Sequence, residues 1–165
     1  MARLDIKNCT ITILDGTGTP NTCVVKIGEG NLTWSEKKPR EYLRERGVLD
    51  AVRDGDQEPM DLSIECRWDF YFSHTGSGET VNPIEAIKKA GNASSWVTTG
   101  ADPCAPYAVD IRVDQNISCG TVYDERLLFE EFRYEQIDGD LRAATLSVSG
   151  KCNSLAPTST RTIIT

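Results

Sequence analysis

The sequence predicts a mainly β protein: a two-sheet β-sandwich or barrel with one short α-helix and a long protruding β-hairpin. Three observations carry that reading. Residues 61–72 alternate apolar and polar without a break, about eight segments have strand character, and one stretch alone has the start and stop signals of a helix.

Within residues 61–72, Leu62, Ile64, Cys66, Trp68, Phe70 and Phe72 fall on one side. Asp61, Ser63, Glu65, Arg67, Asp69 and Tyr71 fall on the other. Successive side chains of a strand point to opposite faces, so the first set forms a buried row and the second a wet face. A helix would smear the same residues around its axis.

Taken in order, residues 9–15 place Cys9, Ile11 and Ile13 on one face, and residues 22–27 form a second strand across the Gly16–Asn21 loop. A third short strand spans 31–35. Residues 40–53 read two ways, as a helix interrupted by Gly47 or as a charged strand. The extended reading is preferred, because a long strand at 61–72 needs a long partner and Asp54-Gly55 is a hairpin signal. It implies a protruding hairpin whose tip is the 54–59 segment. Residues 82–91 are the helix: Asn82 as N-cap, Pro83 in the first turn, Glu85 at the positive end, lysines at the negative end and Gly91 to stop it. Residues 94–99 around Trp96 read as a short strand, and 107–114 alternate with Tyr107, Val109, Ile111 and Val113 inward. Residues 118–123 read as another short strand. A last hairpin joins 127–137, where two periods mix, to 141–151 across Asp138-Gly139-Asp140. The polar tail 153–165 ends near an Ile163-Ile164 pair suited to a neighbour's sheet edge.

With 165 residues the chain is expected to form a single domain, 1–165, with 153–165 as a candidate C-terminal arm. Net charge is −7 with a pI near 4.8, which disfavours a tight grip on nucleic-acid phosphates. No apolar run approaches the roughly 20 residues of a membrane helix. The amino terminus lacks the apolar core of a secretory signal, so folding in a cytoplasm is expected. Four Asn-x-Ser/Thr sequons, at Asn8, Asn31, Asn92 and Asn116, are then chance matches. Six cysteines are spaced by 14, 43, 38, 15 and 33 residues, which contains no zinc spacing, and are expected to be reduced, buried thiols.

No catalytic, cofactor or metal site is expected. His74 is the one histidine and sits in a Gly/Ser loop without a recognisable partner. The Gly16–Gly18 and Thr75–Gly78 stretches lack the Lys-Ser/Thr ending of a phosphate loop. The acidic turns at 54–58 and 138–140 lack the ligand order of a calcium loop. Three tryptophans invite a carbohydrate-binding reading, but Trp68 is in phase with the buried row, leaving Trp34 and Trp96 open.

The 9–28 hairpin, the long 40–72 hairpin, the Asn82-Pro-Ile-Glu-Ala-Ile-Lys-Lys helix and the closing Ala144–Cys152 strand together resemble the major tail tube protein of long-tailed, siphovirus-like bacteriophages. The resemblance covers the layout of most of the chain and implies a non-enzymatic virion protein. Its subunits would close into hexameric rings that stack into a tube for ejected DNA. The implied partners are further copies of the chain, the tape measure, terminator and baseplate proteins, and double-stranded DNA in transit without specific binding or any membrane. The implied location is the virion tail, with assembly in the host cytoplasm. On this resemblance Asp61, Ser63, Glu65, Arg67 and Asp69 are candidate lumen-lining residues. Tyr42, Leu43, Val48, Leu49 and Val52 become a candidate inter-subunit hairpin. The alternative reading is a secreted or virion-surface β-sandwich that binds carbohydrate or protein.

Overall fold

A computed structural model describes residues 6–68, 81–116 and 124–161. Ten strands and one α-helix are formed among them: β1 (Cys9–Leu14), β2 (Thr22–Val25), β3 (Leu32–Ser35), β4 (Arg40–Glu45), β5 (Val48–Asp54), β6 (Met60–Arg67), α1 (Pro83–Lys88), β7 (Val109–Gln115), β8 (Glu125–Asp140), β9 (Thr145–Cys152) and β10 (Thr158–Arg161). All strand pairs are antiparallel. One sheet runs β2-β1-β7-β8-β9-β6-β3 with β10 also on β8, and β4-β5 form a second, separate sheet.

Strand β8 folds the large sheet into two layers. Its first half pairs with β7 on one edge and β10 on the other, and its second half pairs with β9. Phe132 pairs with both Val109 and Cys152, so β9 and β10 share the edge opposite β7. Two bulges bend it. One lies between the Val109 and Ile111 pairings, where Glu131 takes φ 51° and donates its N–H to Asp110 Oδ1 at 3.0 Å. The other lies between Tyr134 and Gln136. An extra residue bends a strand and resets its phase, which explains the mixed period read over 127–137. Gly150 belongs to the second bend: a Cβ there would stand 2.1 Å from the Arg133 carbonyl oxygen.

The two ends of the sheet meet. Arg67 N–H donates to the Lys26 carbonyl at 2.9 Å, and Asn31 and Glu65 exchange backbone bonds of 3.0 and 2.7 Å. Trp34 of β3 packs edge-on to Phe129 of β8 with ring centroids 5.4 Å apart. The enclosed core holds Ile11, Ile13, Met60, Leu62, Ile64, Cys66, Val109, Ile111, Phe129, Phe132, Val148 and Cys152. Leu62, Ile64 and Cys66 occupy the buried row as expected, and Trp68 packs partly buried against it. Phe70, Tyr71, Phe72 and Asp69 lie outside the described residues, as do residues 118–123, His74, Cys119 and Ile163-Ile164.

Several expectations are corrected. β6 is not paired with residues 40–53; its neighbours are β3 and β9. The 40–54 segment is itself a hairpin, turning at Arg46 (φ 52°) and Gly47 (φ 83°), and 54–59 lies at its base. Two central residues at positive φ match the right-handed twist of the flanking strands. The helix is shorter than expected, because Lys89 takes the left-handed conformation (φ 54°, ψ 50°) two residues before Gly91. Its start is as read: Asn82 and a fully buried Glu85 form a capping box. The last turn falls at 141–144, after pairing runs on to Asp140 opposite Thr145. Residues 158–161 pair with β8 of their own chain. Cys23, Cys66 and Cys152 are buried free thiols, whereas Cys104 is exposed and Cys9 intermediate. Burial pushes the Cys23 and Cys152 thiols up to about 12.

Residues 94–99 are not a strand. They are tied to the end of β1 by the Gly16 N–H, which donates to the Val97 carbonyl at 2.9 Å, and by Asp15, a buried carboxylate. Its Oδ1 accepts from the Asn21 N–H (2.8 Å) and the Thr17 hydroxyl (2.8 Å), and its Oδ2 from Asn21 Nδ2 (2.8 Å) and the Val97 N–H (3.3 Å). Burial alone would raise this carboxyl, but those bonds outweigh it and hold it below the ordinary range. Asp15→Asn should cost about 1–3 kcal/mol in urea unfolding, since it sets an amide donor among backbone donors. The folded pKa lies below the unfolded one, so the carboxylate's contribution is complete above about pH 4 and is lost as pH falls through the folded value. The acid limb of the wild-type stability curve should therefore be shallower in the variant, as measured by unfolding between pH 2 and 6.

Candidate functional site

The β4–β5 hairpin is solvent-exposed along both strands. Tyr42 opposes Val52 and Arg44 opposes Leu49, placing Tyr42, Val52 and Leu49 on one face. Leu43 opposes Ala51 and Glu45 opposes Val48, which gives the other face an apolar row of its own. A bulge between Leu43 and Arg44 leaves Asp50 as the extra residue. Tyr42, Leu43, Val48, Leu49 and Val52 are between 44% and 70% exposed. An isolated two-stranded hairpin is marginal in water, and this one offers apolar surface on both faces.

Exposed ion pairs decorate the ribbon. Arg40 pairs with Asp54 at 3.1 Å, Lys38 reaches Asp54 at 3.9 Å, and Arg53 pairs with Glu41 across the strands. At the base, the Gly55 N–H donates to the Pro39 carbonyl at 2.9 Å. Lys37 then ties the hairpin to the sandwich through Asp61 at 2.8 Å, with Glu58 at 3.7 Å. The hydrogen bond from Lys37 holds the Asp61 carboxyl low, and the same contact pushes Lys37 up.

The structure brings Asp61, Ser63, Glu65 and Arg67 together on the outer face of β6. Their neighbours across the ladder are Lys151, Ser149, Ser147 and Thr145 of β9, and Ser35 and Thr33 of β3. Lys151 stands 3.7 Å from Asp61. This face is rich in hydroxyls, and its acids are partly balanced by lysines that the β6 sequence does not reveal. A shallow groove of about 260 Å³ runs over it, lined by Thr33, Ser35, Asp61, Ser63, Ser149 and the bulge residue Glu135, among others. Among the described residues no group of three or more His, Cys, Asp or Glu is placed to hold a metal ion.

Trp96 is buried in the core, Trp34 packs on Phe129, and the Trp68 ring lies over Gly139, where a Cβ would stand 2.4 Å from it. Trp96 thus serves core packing, whereas Trp34 packs on Phe129 while staying 38% exposed at the groove over β6.

No family model and no curated relative matches the chain. Solved structures do. The sheath/tube terminator of an extracellular contractile injection system (PVC), in its extended state, superposes with a TM-score of 0.57 at 8% identity, covering 97% of this chain and 98% of that one. What is shared is the fold. A chain of the anti-feeding prophage (AFP) baseplate aligns over 98% of both chains at 9% identity with a TM-score of 0.49. The matched terminator belongs to a contractile system, whereas the sequence resembles the tube protein of a long-tailed phage.

Because both faces of the hairpin stay exposed among the described residues, replacing Tyr42, Leu49 and Val52 by Ser should leave the unfolding midpoint of the isolated subunit nearly unchanged, within about 0.5 kcal/mol. Chemical denaturation at low protein concentration checks this.

Proposed function

We propose that the chain is a non-enzymatic structural subunit of a phage-tail-like particle. It self-assembles into hexameric rings, which stack into a tube through which DNA leaves. The observation that carries the reading is the β4–β5 hairpin, whose two apolar faces find no cover among the described residues. Burial against neighbouring copies supplies that cover and removes free sheet edges. The fold shared with a tube terminator supports the same class of role. Tyr42, Leu43, Val48, Leu49 and Val52 are the inter-subunit contacts in this proposal, and the tape measure, terminator and baseplate proteins its further partners. The virion tail is its location.

A second reading within the class is favoured by that structural match: a single ring that ends a tube instead of repeating along it. Electron microscopy of the concentrated protein separates the outcomes. Stacked rings support the tube, isolated rings support the terminal ring, and dispersed monomers overturn both. The Tyr42/Leu49/Val52→Ser variant should give monomers under conditions where the parent forms rings.

The outer face of β6 is proposed to line the lumen. A wall of hydroxyls with few net charges offers DNA, which carries one charge per about 1.7 Å of axis, little to hold on to. Replacing Ser63 and Glu65 by Lys should slow DNA ejection from assembled particles while tube length stays the same. Unchanged ejection kinetics would place this face outside the channel.

A further inference from the structure

The ladder between β6 and β9 has unlike features at its two ends. At one end is the β8–β9 turn. Asp140 Oδ1 accepts from the Arg142 N–H (2.9 Å) and the Ala143 N–H (3.1 Å), and the Ala144 carbonyl accepts from the Trp68 N–H (2.9 Å). The turn is therefore held at both ends while Leu141, 86% exposed, projects from it. Arg142 beside it has no ion-pair partner among the described residues.

At the other end, where the hairpin joins the sandwich, is a cleft of about 470 Å³. Pro39, Leu155 and Ala156 give it an apolar wall. Its lysines are engaged, Lys37 with Asp61 and Lys38 with Asp54, and Asp54 is engaged with Arg40. Asp56 has no ion-pair partner among the described residues. The cleft thus combines an apolar wall with an uncommitted negative charge, and the turn combines an apolar knob with an uncommitted positive one.

We propose that the β8–β9 turn of one copy docks in the hairpin-base cleft of the next, with Leu141 against Leu155, Ala156 and Pro39 and Arg142 on Asp56. The proposal rests on the self-assembly reading above and adds the partner surfaces. Knob and cleft lie at opposite ends of an eight-residue ladder, roughly 25 Å apart at about 3.4 Å per residue. The contact is therefore head-to-tail: each copy gives one surface and receives on another, so the association propagates until it closes into a ring or extends as a filament.

The test uses the full chain with Cys104→Ser, which removes the thiol that is exposed among the described residues. Arg142→Glu and Asp56→Arg should each raise the concentration needed for assembly, read by analytical ultracentrifugation, and the two together should restore it. Leu141→Asp should raise it roughly tenfold to a hundredfold, the range for losing one buried leucine side chain. A Leu141→Cys chain mixed with an Ala156→Cys chain should form a mixed disulfide under mild oxidation, whereas Ser147→Cys in place of the first should not. If the parent assembles, the charge reversals and Leu141→Asp have no effect, and no 141–156 cross-link forms, the docking is wrong and self-assembly stands. If the parent stays monomeric at every concentration, the docking and the self-assembly reading fall together.

Discussion

Strand β8 must satisfy backbone hydrogen bonds on both edges while passing from one layer of the sandwich to the other. Sixteen residues cannot do this in a straight line. Two added residues, at the Glu131 and Glu135 bends, let the strand leave the direction set by β7 and take the one set by β9. Around them, Asp110 secures the Glu131 N–H and Gly150 leaves room for the Arg133 carbonyl. The buried pair Phe129 and Phe132, three positions apart, face one core because a bulge lies between them. Every other strand of the large sheet takes its place from this bent one, directly or through a neighbour.

Much of this was readable from residues alone, wherever a strand buries one face. Residues 61–66, 109–115 and 145–152 keep a strict period of two because solvent and core alternate along them, whereas residues 11–14 are buried on both faces. Residues 127–137 lost that period at the bulges, so their partner was found but their turn was misplaced. Residues 40–53 are extended as expected, but they pair within their own hairpin and not with β6. A ribbon wet on both faces shows no alternation from which to infer pairing, and Asp54-Gly55 is a stronger turn signal than the Arg46-Gly47 that forms the tip. Residues 94–99 carry Trp96 into the core without a ladder, held by the Val97 N–H bond to Asp15 and by backbone bonds from Gly16 to Val97 and from Thr99 to Ala108 that no hydropathy pattern records.

The candidate site was legible in identity more than in arrangement. Tyr42, Leu43, Val48, Leu49 and Val52 stand on the exposed hairpin, divided between its two faces. Asp61, Ser63, Glu65 and Arg67 share a face as expected, but Lys37 and Lys151 come to Asp61 from segments 24 residues before it and 90 after it in the sequence. Charge on a sheet surface belongs to the strands side by side, and one strand read alone overstates its acidity.

The hairpin also divides the molecule's charge. Residues 40–54 contain Arg40, Arg44, Arg46 and Arg53 against Glu41, Glu45, Asp50 and Asp54, four of each sign, so the ribbon is neutral and the whole −7 resides on the remainder. Two free subunits repel through their bodies at a range set by the Debye length, about 8 Å at physiological ionic strength and about 30 Å at 0.01 M salt. The neutral ribbon, by contrast, adds nothing to that repulsion. For the assembly proposed above, ionic strength would set a threshold on the encounter of copies: dilute buffer would keep them apart, and added salt would let them meet.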